Sequence, residues 1–105
     1  MNQEIRKLWD LRMTEKFPRG YGGEVIDGID LVLLDSDTAG CVITFIQNNG
    51  KLDVWRTAIL GLCYRDLTVV VGQLSGEGKE HFSKLETISN LVLKDIVAVE
   101  KAQHK

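Results

Sequence analysis

Two aspartates one residue apart, Asp35 and Asp37, interrupt the most apolar region of the chain, LVLLDSDTAGCVITFI at residues 31–46. Carboxylates so close in sequence suit general acid and base work, a nucleophile with an acid beside it, or a divalent cation. A calcium loop beginning at Asp35 has Asp37 and Gly40 in place, but Ala39 replaces a ligand and Ile46 stands where the bidentate glutamate belongs. A metal or acid–base site carried on helices needs further donors from other helices, and the only histidines are His81 and, near the chain end, His104. The glycine-rich GYGG at 20–23 has no phosphate-binding lysine after it. Cys41 and Cys63 stand alone in apolar surroundings, which suits reduced, buried thiols rather than a zinc site or a disulfide scaffold.

A strand delivering DxD is also the arrangement of haloacid-dehalogenase-like phosphatases. Ala39 stands where that motif wants Thr or Val, and 105 residues are too few for the parallel sheet that the fold requires. A plainer account places the acids on a helix, where Asp35 and Asp37 point about 200° apart and cannot enter one site together. Residues 20–50 carry five acids and no Lys or Arg, so a neutralising partner must come from another segment. A helical hairpin turning near residue 50 would set the pair beside Tyr64, Arg65 and Asp66, and Asp37 is expected to bond Arg65 or the Tyr64 hydroxyl. The candidate ligand or network residues are therefore Asp35, Asp37, Tyr64 and Arg65. Trp55 beside Arg56 is a candidate interface anchor, although a tryptophan is more often core. No catalytic residue, metal ligand set or cofactor is expected.

The elements that must position these residues follow from periodicity. Ile5, Leu8, Trp9, Met13 and Phe17 form one stripe of a helix over 3–17, ended by Pro18. Residues 18–24 hold three glycines and the only proline, and read as a flexible loop. Leu31, Leu34, Thr38, Cys41 and Phe45, widened by Val42 and Ile46, predict a helix from about 30 to 48, with Gly50 as its left-handed cap. A third helix starts from an Asp53 cap and buries Trp55, Ile59, Leu62 or Cys63, Leu67, Val70 and Leu74, although LTVVV favours a strand by propensity. A fourth carries Phe82, Leu85, Ile88, Val92 and Ile96 inward, and residues 101–105 form a frayed tail. The fold class expected is all-α, about four helices in a small bundle of one domain over 1–105. An α+β arrangement with a hairpin from residues 29–47 is the alternative.

A 44% apolar content supports one folded core, while a net charge of −2 gives no advantage on a phosphate backbone, so nucleic acid is not the expected partner. No apolar stretch approaches the roughly 20 residues of a bilayer span, and no signal peptide opens the chain, so a cytoplasmic protein is expected. The segments DGIDLVLLDSDTAGCVITF and WRTAILGLCYRDL are similar to short uncharacterised bacterial proteins sharing a GxDLVxLDxDxAGC stretch, over about Asp27 to Leu67. That resemblance implies a small, mostly helical cytosolic protein and brings no activity, cofactor or catalytic residue. The function expected is protein–protein contact, as a homodimer or an accessory or regulatory partner, with enzymatic activity disfavoured. The alternative is a small-ligand binder or minor hydrolase with a cleft near Asp35, Asp37, Tyr64 and Arg65.

Overall fold

The structure, a computed structural model, describes residues 1–103. The described residues form four helices, α1 (Gln3–Met13), α2 (Leu31–Gln47), α3 (Val54–Gln73) and α4 (Gly76–Gln103), with one small antiparallel hairpin, β1 (Val25–Ile26) and β2 (Ile29–Asp30), between α1 and α2. The chain is a small all-α bundle. Helices α2, α3 and α4 pack against one another, and the shorter α1 lies on α4.

Helix α2 forms where its pattern places it, and every residue of its expected stripe is buried. Asp30 caps its start by accepting the Leu33 N–H at 3.0 Å. At its end Asn49 and Gly50 take positive φ, and the Gly50 N–H reaches back to the Phe45 carbonyl at 2.9 Å, satisfying a terminal acceptor. Asp53 then caps α3 through the Arg56 N–H at 3.2 Å. The valines of LTVVV remain helical because α3 packs along both α2 and α4, and tertiary burial overrides propensity.

Three expectations are corrected. First, α1 ends at Met13 instead of reaching Phe17: the Thr14 hydroxyl donates to the Leu11 carbonyl at 2.7 Å, the last turn tightens, and Pro18 disfavours helix before it. Met13 is exposed, and Phe17, outside the helix, packs on α4. Second, α3 buries Leu60, Cys63, Leu67 and Val70, while Trp55 and Leu62 face solvent. Apolar residues surround this helix on all sides, so periodicity alone left its inward face undecided. Third, α4 stays helical through Lys101–Gln103, so the tail expected to fray is helical as far as Gln103, and residues 104–105, with His104, lie outside the described residues. The alternative hairpin over residues 29–47 does not form, because α2 occupies 31–47; the small hairpin among the described residues lies at 25–30, ahead of α2.

The core runs along the bundle in two adjoining sections. Ile5 and Trp9 of α1 close one, over Val42, Phe45, Leu60, Ile88 and Val92. Phe17, Tyr21, Ile26 and Ile29 cover the other, built on Leu31, Leu34, Leu67, Phe82 and Leu85. The segment between α1 and α2 is thus a lid on the second section.

Candidate functional site

Asp35 lies on the flank of α2 that faces α1 and α4, and its partners come from those two helices. Arg12 donates from Nη2 to Asp35 Oδ1 at 2.6 Å, and His81 Nε2 meets the same oxygen at 2.7 Å. His81 is only 7% exposed and Asp35 19%. Burial pushes the Asp35 carboxyl upward, but the hydrogen bonds from His81 and Arg12 and their charges outweigh it and hold it below the ordinary carboxylate value. The Arg12 guanidinium also lies over the Trp9 ring, 5.1 Å from its centroid, and its buried Nε has no partner.

The Asp35 bond fixes the tautomer of His81: a neutral ring donates from Nε2 and leaves Nδ1 as an acceptor. Phe17 meets the imidazole edge to face at 5.4 Å, and Phe82 does so at 5.0 Å. Beside His81 opens a cleft of about 300 Å³, lined also by Glu15, Pro18, Glu77, Glu80 and Lys84. An aspartate orienting a histidine is half of a nucleophilic relay, but the cleft lining offers no hydroxyl or thiol for His81 to activate. Its available chemistry is proton exchange with a small guest or with water. Among the described residues, no three or more His, Cys, Asp or Glu side chains converge to hold a metal ion.

Asp37 points to the other side of α2, into the groove between α2 and α3. It is exposed, and neither a hydrogen bond nor an ion pair holds it among the described residues. The bond expected from Arg65 or Tyr64 does not form: Arg65 extends into solvent with Asp66 at 4.0 Å, and Tyr64 is half-buried. The four candidate network residues are therefore not brought together. Counting across the hairpin considered only α3 as a neighbour of α2, whereas α2 also packs on α4. It missed two functional residues, Arg12 and His81. Arg12 comes from the basic N-terminal segment, and an acidic stretch without cations of its own signals the need for such a partner, whereas His81 left no comparable signal.

The groove itself holds two open clefts. One, about 420 Å³, is bounded by Asp37, Gly40, Trp55, Arg56 and Ile59. The next, about 340 Å³, is bounded by Leu33, Asp37, Leu62, Cys63 and Asp66. Arg56 is tied to Asp53, Nη1 to Oδ1 at 2.8 Å, so it stands at the mouth in a fixed pose beside Trp55. The thiols of Cys41 and Cys63 are buried, and desolvation raises both above the usual cysteine value, which makes them poor nucleophiles.

Comparison of the chain with models of known protein families, with curated proteins and with solved structures found no match. No helix among the described residues is long and apolar enough to cross a membrane.

Proposed function

We propose that this chain works by protein–protein contact through the face formed by α2 and α3, with Trp55 as its anchor. The observation that carries the reading is Trp55 itself, 74% exposed on the first turn of α3. Leu62 on the same helix is 54% exposed and Leu33 on α2 is 60% exposed. Exposed large apolar side chains that include a tryptophan, with charged residues among them, are the composition of a contact surface rather than of ordinary solvent-facing helix. Asp30 and Asp66 supply acid at one end, Arg56, held by Asp53, stands at the other, and Asp37 lies between them, an arrangement suited to selecting and orienting a protein partner. The net charge of −2 argues against nucleic acid, and two free buried thiols suit a reducing, cytoplasmic setting.

The test is photo-crosslinking in living cells from position 62, with position 87 on the exposed back of α4 as the control. A discrete adduct from 62 that Trp55→Ser abolishes is expected. Equal, diffuse labelling from both positions would overturn the reading.

A second reading, a small-ligand binder or minor hydrolase, is favoured by one observation, the oriented His81 at the mouth of its cleft. It requires a binding or hydrolytic signal that His81→Gln removes and Asp37→Asn leaves intact. A parent protein giving no such signal across small anions and esters would dispose of it.

A further inference from the structure

We infer that the occupant of the α2–α3 face is a second copy of the chain, laid antiparallel across it about a two-fold axis near Gly61. This rests on the contact reading above and names the partner.

The first argument is a repeat on the outside of α3. Trp55, Ala58, Leu62, Arg65 and Val69 follow one another at steps of three and four, and all five are exposed. The buried stripe of the same helix, Leu60, Cys63, Leu67 and Val70, is separate. Helix α3 therefore carries a second seam of the kind that two helices bury against each other, and none of the described residues covers it. Antiparallel pairing centred near Gly61 sets Leu62 against Ala58 of the second copy, large against small. It also brings Arg65 over the exposed face of Trp55, where a guanidinium is attracted to the indole.

The second argument is charge, which selects both the occupant and the direction. Asp30 and Asp66 rim the end of the face at Leu62, Asp37 borders both clefts, and Arg56, held by Asp53, stands at the end marked by Trp55. A parallel pair would set acid on acid. The antiparallel pair brings Asp37, which has no partner among the described residues, level with Arg56 of the second copy, and the symmetry makes the contact twice.

The third argument is an unexplained glycine. Gly61 sits inside a 20-residue helix, where glycine is unfavourable relative to alanine by about 1 kcal/mol, yet a methyl group there would meet nothing within 4 Å. Gly40 on α2 is equally open. Gly40 lines the cleft that holds Trp55 and Arg56. Gly61, beside the pairing centre on α3, and Gly40, on the flank of α2, leave room for close approach of a second helix pair.

The experiment is sedimentation of the purified parent from about 1 µM to about 500 µM, with variants checked for fold by circular dichroism. The parent is expected to dimerise within that range, and Trp55→Ser/Leu62→Ser to remain monomeric. Asp37→Lys and Arg56→Glu should each weaken the dimer by about tenfold or more, because each sets like charges opposite one another. Mixed in equal amounts the two variants should regain the parent's affinity. The introduced lysine of one then meets the introduced glutamate of the other, and at the symmetry-related contact Asp37 meets Arg56. A monomeric parent, a dimer indifferent to Trp55→Ser/Leu62→Ser, or a mixture no tighter than its components would overturn the inference. A monomeric parent that still yields a discrete adduct with another protein from position 62 would leave the contact reading standing. Loss of both would sink both.

Discussion

One oxygen of Asp35 receives two donors, and that makes it unlike Asp37 although the two are separated by a single serine. Asp35→Asn removes the charge that Arg12 and His81 share while leaving both in place, mostly buried, so about 2–3 kcal/mol of stability should be lost. For a domain of this size that lowers Tm by about 10 °C or more, measurable by thermal unfolding. Asp37→Asn, at a solvated position without a partner among the described residues, should stay within about 0.5 kcal/mol of the parent. Equal effects of the two substitutions would contradict the geometry. Ser89 gives the opposite case. Its side chain is wholly buried in α4 and its hydroxyl has no partner, so it carries a desolvation cost without a bond in return. Ser89→Ala should therefore hold or raise stability, by up to about 1 kcal/mol in urea unfolding, and a marked loss would show that the hydroxyl is satisfied after all.

At the scale of elements, legibility followed how one-sided each helix is. Helix α2 was readable to within a residue at each end because its inward positions and its caps at Asp30 and Asn49–Gly50 agree. The face of α3 was not readable, since its inner and outer stripes are both apolar, and the exposed Trp55 follows from that ambiguity. The small hairpin did leave a signal: Asp27 and Gly28 both take positive φ, the conformation a two-residue hairpin turn demands and an Asp-Gly pair supplies. The Asp35 cluster was half legible. The need for an imported cation is written in the sequence, but its source depends on how α1 and α4 cross α2, which no local pattern encodes. The outer seam of α3 gives a prediction proper to this scale. Gly61→Ala should stabilise the monomer by about 0.5–1 kcal/mol, because the helix gains and no atom lies in the way. The same substitution should weaken self-association, seen as a larger dissociation constant in sedimentation. A variant both more stable and equally dimeric would remove Gly61 from the interface.

Across the whole molecule the two tryptophans report different events. Trp9 is buried under α1 and Trp55 stands in solvent on α3, so Trp55→Phe leaves a reporter of α1 docking and Trp9→Phe one of association. Helix α1 is tied to the bundle by Ile5 and Trp9 in the core, by Arg12 on Asp35, and by the ion pair of Glu15 with Lys84 that follows it. Two of the three ties need ionised carboxylates. Because the Asp35 carboxyl is held below its ordinary value when folded, its stabilisation is fully present above the unfolded value of about 3.9 and is lost as pH falls through the lowered one. Acid should thus loosen α1 and the lid segment first, below about pH 4, while α2, α3 and α4 keep the contacts of the second core section, which α1 does not enter. In Trp55→Phe the emission of Trp9 should shift to the red before the helical circular dichroism of the bundle is lost. Amides of Ile5–Arg12 should exchange ahead of those around Leu67 and Leu85. Adding Asp35→Asn should produce the loosened emission at neutral pH, and adding Glu15→Gln should do so only weakly, since that pair is exposed and its loss costs little. Coincident loss of Trp9 burial and bundle helicity at every pH would mean that α1 and the bundle form a single cooperative unit and that the Asp35 cluster does not act as a separable tie.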